Sequence, residues 1–243
     1  YQMRFFNSSL EEFSDEKVKA YEFGDMYDQN RNKAFIDKLL LHKIKVFNSK
    51  GRYVVPVNQT QSRMVKNFFE THSKYVDSVF YDASAWSVSN MYNMKSKKLK
   101  NFIGESEIKS IENLVYNLKP KKSNYAYVLD WDDYNSPAAL NFLQKNGVIT
   151  YSAFKPFTIK VNGTNSSMKF NYGSVLIPVS KQKISSEKLF EIINELQNKY
   201  EVPIYNSDSG YSLKGIDLGS NNFRINKPVK VALLVGNGIN AYE

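Results

Sequence analysis

The chain contains no cysteine. Disulfides, thiolate metal sites and cysteine nucleophiles are excluded together. Histidine is almost as scarce, with 2 in 243 residues. His42 follows Leu39-Leu40-Leu41, and His72 follows Phe69-Glu70-Thr71, each where a helix is expected to end. Neither has a partner at metal-ligand spacing: there is no His-x-x-Glu, no His-x-x-x-His and no Asp-x-His. Both are read as helix-end residues that meet carbonyls or solvent. Long apolar runs are missing too. The longest, residues 175–179 and 231–235, are strand-sized, well short of the roughly 20 residues that span a bilayer. Tyr1-Gln2-Met3-Arg4 is not a secretory leader, which needs a basic start and then an apolar stretch. With Tyr at position 1, the chain is expected to be a processed or excised piece.

What is present suits a globular protein. Hydrophobic residues make up 42%, aromatics 14% and charged residues 23%, a balance that favours a packed core over disorder. The net charge of +9 is spread along the chain, with clusters at Lys95, Lys97, Lys98 and Lys100 and at Lys119, Lys121 and Lys122. We read it as solvated surface, not as a nucleic-acid footprint.

An internal repeat organises the sequence. Lys19-Ala20-Tyr21-Glu22-Phe23 and Tyr125-Ala126-Tyr127-Val128-Leu129 are matching aromatic strands. Each leads into an acidic loop, with Asp25 and Asp28 in the first copy and Asp132 and Asp133 in the second. A helix follows. Phe35/Leu39 and Ile36/Leu40 mark its apolar stripe in copy one. In copy two Ser136 can cap, Pro137 takes the first helical position and Asn146-Gly147 supplies a left-handed stop. Ile44-Lys45-Val46-Phe47 and Val148-Ile149-Thr150-Tyr151 come next, and 44 to 148 is again 104 positions, as is 34 to 138 for the helices. Third strands carry a Val/Ile-Pro-Val core 122 positions apart, at Pro56 and Pro178, where proline belongs at a strand end or an edge. Polar stretches containing Gln59 and Gln182 then lead into amphipathic helices marked by Met64, Val65, Phe68 and Phe69, and by Leu189, Phe190, Ile193 and Leu196. Fourth strands are expected at residues 78–82 and 202–206. Copy two carries an extra polar stretch at 161–169, and its Asn162-Gly163 is the best hairpin-turn signal in the chain.

Strand–helix–strand alternation with short connections predicts an α/β fold of two tandem units, each a mostly parallel sheet flanked by helices. Near-continuous apolar strands such as 175–179 agree with burial on both faces. The expected boundaries are a first unit at 1–94 and a basic, partly helical linker at 95–122, with Ile108, Ile111, Val115 and Leu118 on its helix. A second unit follows at 123–228. Residues 229–243 would be the first strand of a truncated third unit, or a strand completing a sheet. Gly236-Asn237-Gly238 is too short for a phosphate loop and reads as a tight turn.

Carboxylates are the best candidates for chemistry. In a parallel sheet, ligands sit beyond the carboxyl ends of strands, where Asp25, Asp28, Asp130, Asp132 and Asp133 would lie. Paired carboxylates can hold a divalent ion or move protons. The competing and favoured reading is helix capping. Ser84 and Ser209 follow fourth strands, but Asp82-Ala83-Ser84-Ala85-Trp86 lacks the glycines of a nucleophile elbow and a histidine partner, and both are read as structural serines.

Val79-Phe80-Tyr81-Asp82-Ala83-Ser84-Ala85-Trp86, Tyr53-Val54-Val55-Pro56-Val57-Asn58-Gln59, Gly215-Ile216-Asp217-Leu218-Gly219-Ser220 and Val231-Ala232-Leu233-Leu234-Val235-Gly236 carry a resemblance over nearly the whole chain. It is similar to the region downstream of the peptidase domain in zinc carboxypeptidase-like (M14-type) proteins of Bacteroidetes. The resemblance implies a flavodoxin-like or class I amidotransferase-like α/β region of a periplasmic or extracellular protein. Zinc would be held only by the separate peptidase domain, because His42-Lys43-Ile44-Lys45 and His72-Ser73-Lys74-Tyr75 do not match its His-x-x-Glu. The amidotransferase nucleophile is a cysteine, so no catalytic residue, metal ligand or cofactor site carries over. The expectation is a non-catalytic accessory region whose partners are the peptidase domain and a peptide or small molecule. The alternative is a periplasmic-type small-ligand module with a site between the two units, drawing on Asp25, Trp86, Asp130, Asp132, Asp133 and Tyr134. A hydrolase using the aspartates with a metal is the third reading.

Overall fold

The computed structural model describes residues 1–14, 17–71, 87–114, 120–161 and 167–233, together with 235, 236 and 238. It forms two compact units, Tyr1–Leu118 with Asp132–Asn135, and Lys119–Trp131 with Ser136–Glu243.

The first unit contains α1 (Gln2–Ser14), β1 (Ala20–Phe23), α2 (Gln29–Leu41), β2 (Val46–Ser49), β3 (Arg52–Pro56), α3 (Ser62–Phe69), the single turn α4 (Val88–Met91), β4 (Ser96–Leu99) and β5 (Ser106–Ile108). Its sheet runs in the order β4-β1-β3-β2-β5. In the second unit the elements are β6 (Ala126–Leu129), α5 (Ser136–Lys145), β7 (Tyr151–Ala153), β8 (Phe157–Lys160), β9 (Ser167–Phe170), β10 (Val175–Pro178), α6 (Ser186–Tyr200), β11 (Ile204–Ser207), β12 (Lys214–Gly215) and β13 (Phe223–Ile225). Its main sheet is ordered β11-β6-β10-β7-β13, and β12-β8-β9 form a smaller one.

Every described strand pair is antiparallel, so the expected parallel, flavodoxin-like or amidotransferase-like sheet is wrong. The element order read from the sequence is present, but the neighbours differ. In each unit the third strand inserts between the first and second, giving a split β-α-β with antiparallel partners throughout. In the first unit β2 turns directly into β3 through Lys50 and Gly51, both at positive φ (50° and 82°), with Ser49 opposite Arg52. That is the primed two-residue turn whose twist suits a hairpin. The second unit replaces this turn with an excursion through β8 and β9, a hairpin in which Lys160 faces Ser167. Residues 162–166, including Asn162 and Gly163, lie outside the described residues.

Register repeats between the units. Ala20 faces Pro56 and Leu99, as Ala126, 106 positions on, faces Pro178 and Ser207. Phe47 faces Val54 and Glu107, while Tyr151, 104 positions on, faces Leu176 and Ile225. Residues 96–99 and 106–108, read as part of a basic linker, therefore supply strands β4 and β5. The expected strand at 78–82 lies outside the described residues, and β4 occupies the position in the first sheet that β11 holds in the second. Of the residues expected on a linking helix, Ile108 lies in β5, Ile111 opens a single 3-10 turn (Ile111–Asn113), and Val115 and Leu118 lie outside the described residues.

A glutamine fixes the same corner in both units. The Gln59 carboxamide accepts from Lys45 N–H at 2.7 Å and donates to the Pro56 carbonyl at 2.7 Å. Gln182 accepts from Ile149 N–H at 2.9 Å and donates to the carbonyls of Ile149 and Pro178, both at 2.8 Å. Each ties the entry of strand two to the end of strand three, where proline offers a carbonyl but no N–H.

The helices cover one face of each sheet. Alternation sends Tyr21 and Phe23 from β1, and Tyr53 and Val55 from β3, into a core with Phe35, Leu39, Val65 and Phe69. Phe35 is its centre, with the rings of Phe23, Phe69 and Tyr92 at 5.0, 5.6 and 5.4 Å. In the second unit Tyr127, Leu129, Val175 and Ile177 meet α5 and α6. The other faces differ. Ala126, Val128 and Leu176 pack under Phe157, Ile159 and Phe170 of the small sheet. Glu22 stands at the position equivalent to Val128 and pairs with Arg52 at 3.0 Å. The near-continuous apolar reading of residues 175–179 was thus right about burial on both faces of β10. The cover on the second face is an antiparallel sheet, not a helix layer.

Candidate functional site

The acidic loop after β1 is built around the start of α2. Asp28 is the N-cap, and its carboxylate accepts from Arg31 N–H at 2.8 Å. Asp25 accepts from the N–H groups of Tyr27 and Asp28 at 2.8 and 3.2 Å. Asn32, one turn into the helix, holds the Asp25 backbone from both sides at 2.7 Å. The Arg31 guanidinium then forks between Asp25 at 3.0 Å and Asp28 at 3.1 Å.

The tetrapeptide Asp132–Asn135 belongs to this same compact unit. Arg31 donates to the Asp132 carbonyl at 2.8 Å, and Asn30 donates to both oxygens of Asp133 at 3.0 and 3.1 Å. Tyr134 N–H donates to Asp28 at 2.9 Å, and the Tyr134 ring stacks on Tyr92 with centroids 5.9 Å apart. Asp133 also accepts from Asn135 N–H at 2.8 Å, the turn that starts α5. Asp28 and Asp133 are buried, 4% and 8% exposed. Burial raises the Asp28 carboxyl above the usual aspartate range, and this outweighs the opposing pull of the Arg31 N–H and guanidinium.

Of the six residues expected to mark a site, Asp25, Asp132, Asp133 and Tyr134 come together in this network. Asp130 lies in the other unit, where its carbonyl accepts from the Ser136 hydroxyl. Ser136 is therefore a donor to the loop. Trp86 lies outside the described residues, as do His72, Ser84 and Asn237. Ser209 is a turn residue whose hydroxyl accepts from Tyr211 N–H at 3.1 Å. His42 is the C-cap of α2 and lies edge-on to Phe68 at 5.5 Å.

Sequence reasoning missed Asn30, Arg31 and Asn32. Their signal was available: two aspartates followed by Asn-Arg-Asn at a helix start, with Arg31 three positions after the cap. Asp28 caps α2, while Asp25 and Asp133 accept from backbone N–H groups and from the Arg31 and Asn30 side chains respectively. Among the described residues no group of three or more His, Cys, Asp or Glu could hold a metal ion. No helix among them is long and apolar enough to cross a membrane.

A second feature of the first unit is a depression of about 640 Å³ of mixed polar and apolar lining, with Phe69 and Met94 beside Asn90, Asn93, Lys95 and Lys98. Its rim holds part of the lysine cluster seen in the sequence. Comparison with protein-family models, curated proteins and solved structures finds no match for this chain.

Proposed function

We propose that this chain is a non-catalytic accessory region of a secreted zinc carboxypeptidase-like protein. It would support the peptidase domain or present its substrate, and zinc would belong to that domain. The observation that carries this reading is the fate of the acidic loop. The residues best suited to acid–base or metal chemistry are spent on helix N–H groups, an arginine and an asparagine. The stretches around Tyr53 to Gln59 and Gly215 to Ser220 support the placement beside an M14-type peptidase. The amidotransferase-like fold that came with that resemblance is not part of the proposal, because the sheets are antiparallel.

The test joins two measurements. The flanking coding sequence should encode a His-x-x-Glu peptidase domain in the same polypeptide. Removal of this region should then alter peptide hydrolysis by the parent, while the region alone with added zinc hydrolyses nothing. A parent without such a domain, or zinc-dependent hydrolysis by this chain alone, overturns the reading. The depression beside β4 favours a second function, a small-ligand module. Its lysines and amides suit an anionic, hydrogen-bonding ligand, and calorimetric titration with inorganic phosphate and short acidic peptides tests it.

A further inference from the structure

The two units differ at one corner, and the difference makes room for a ligand in the first. Lys98 faces Tyr21 and Ser96 faces Phe23 across β1, so both stand on the helix-covered side of the sheet, where Tyr21 and Phe23 enter the core. Their counterparts in the second unit are Asn206, facing Tyr127, and Ile204, facing Leu129. Both are buried, at 5% and 8% exposure. α6, with 15 residues, reaches this corner, since Ile204 shares a core with Ile192, Ile193 and Leu196. α3 has 8 residues and ends at Phe69, where Glu70 is already extended. At about 1.5 Å per residue it is shorter by about 10 Å, roughly two helical turns. Ser96 and Lys98 remain exposed, and both line the depression of about 640 Å³.

The depression has an apolar floor and a rim charged with one sign. Phe69 and Met94 are buried, while the carboxamides of Asn90 and Asn93 and the ammonium groups of Lys95 and Lys98 belong to exposed residues around them. No described residue pairs with any of these four polar side chains. Glu70, beside Phe69, and Asp37, close to Tyr92, are carboxylates of the neighbourhood, and neither lines the depression. Lys97 and Lys100 add to the positive charge around it. A bare phosphate would meet the lysines and leave the apolar floor in water. An uncharged apolar molecule would cover the floor and leave the cations unused. A carboxylate carried on an aromatic or aliphatic group answers both: its head accepts from ammonium and amide donors, and its body covers Phe69 and Met94.

We propose, resting on the small-ligand reading of this depression, that it binds a carboxylate borne on an apolar group, either a free organic acid or the C-terminal residue of a peptide. An NMR titration of the isotope-labelled chain tests this at the backbone amides of Asn93, Met94, Lys95 and Ser96. Hydrocinnamate should move them and bind about tenfold or more tighter than acetate or inorganic phosphate, which lack the apolar body. Hydrocinnamamide, which lacks the charge, should bind about tenfold more weakly than the acid. Lys95→Gln with Lys98→Gln should weaken hydrocinnamate about tenfold, and Ser96→Glu, which sets a carboxylate on the exposed strand face, should abolish its binding. Lys97→Gln is the control, because Lys97 faces Glu22 on the opposite side of the sheet; its binding should match wild type, and all variants should keep the wild-type far-UV spectrum. A short neutral peptide ending in Phe separates the two sources. Binding with a free C-terminus but not as the C-terminal amide assigns the site to peptide ends, and binding of hydrocinnamate alone assigns it to free acids. Phosphate that binds as tightly as hydrocinnamate leaves a small-ligand module but overturns the apolar carboxylate, as does binding indifferent to the double lysine variant. No shift at these amides with any probe overturns both.

Discussion

Replacing Gln59 by Met removes a carboxamide while keeping length and most of the volume. The side chain loses its bonds to Lys45 N–H and the Pro56 carbonyl, both at 2.7 Å, and a marginal one to the Lys45 carbonyl at 3.5 Å. Each good hydrogen bond is worth about 1 kcal/mol net, and a buried donor left without a partner costs a further 1–3 kcal/mol. Gln59 is 9% exposed, so water is poorly placed to replace it. The expected loss is about 2–4 kcal/mol. Gln182→Met is the internal control. It removes three good bonds, but Gln182 is only half-buried, and water can take over part of their work. About 1–2 kcal/mol is expected there, so burial should outweigh the number of bonds. Urea unfolding followed by circular dichroism measures each loss as a shift in midpoint at constant slope. Amide hydrogen exchange reads the corner directly: Lys45 N–H should lose protection in the first variant and Ile149 N–H in the second. If both variants unfold within about 0.5 kcal/mol of wild type with both amides still protected, the shared corner is not held by these glutamines.

Other outcomes follow from the same geometry. Arg31→Met leaves Asp25 and Asp28 facing each other without their cation, and should cost about 2–4 kcal/mol with little rescue by Lys, which cannot fork; thermal melts of the three proteins decide this. Asp28 has a raised folded pKa, so its contribution to stability is fully present below the ordinary aspartate value and is lost as pH rises through the folded one. Asp28→Asn should flatten that part of the stability–pH curve, measured by urea midpoints in an acid pH series. Glu187 is held down to about 2 by hydrogen bonds from Lys122 and at the helix start. Its contribution is present above the ordinary glutamate value and lost as pH falls through about 2; in Lys122→Ala its carboxyl shift in an NMR titration should move upward, and added salt should weaken the wild-type effect. Lys50→Asn places the preferred residue at a positive-φ hairpin position and should stabilise by about 0.5–1 kcal/mol in the same melts.

Much of the local structure was legible in the sequence because its causes are local. Short aromatic and apolar runs wrote the strands, the 3.6-residue stripe at Phe35, Ile36 and Leu39 wrote α2, and the prolines marked strand ends. Spacings of 104 and 122 positions, found without coordinates, recur as the register of Phe47 with Tyr151 and of Pro56 with Pro178. The capping role of Asp28 was legible as well, since Asp at a helix start has a direct backbone use.

Strand partnership was not legible, because pairing is a long-range choice that side-chain pattern alone does not encode. A strand–helix–strand run is compatible with parallel neighbours or with a third strand slipped between them. Here the tight turn at Lys50-Gly51 and its replacement by the β8–β9 excursion put the third strand in the middle. Burial on both faces of β10 could not say which element provided the second cover. Lys95 to Lys100 looked like a linker because a lysine-rich edge strand and a solvated linker share a composition. Arg31 and Asn30 could be placed at the helix start from the sequence, but not against Asp132 and Asp133, which lie about a hundred positions away and meet them only after folding. The sequence by itself determined the elements and their repetition. Tertiary structure decided which strands are neighbours and where the charges are spent, since both depend on contacts between distant segments.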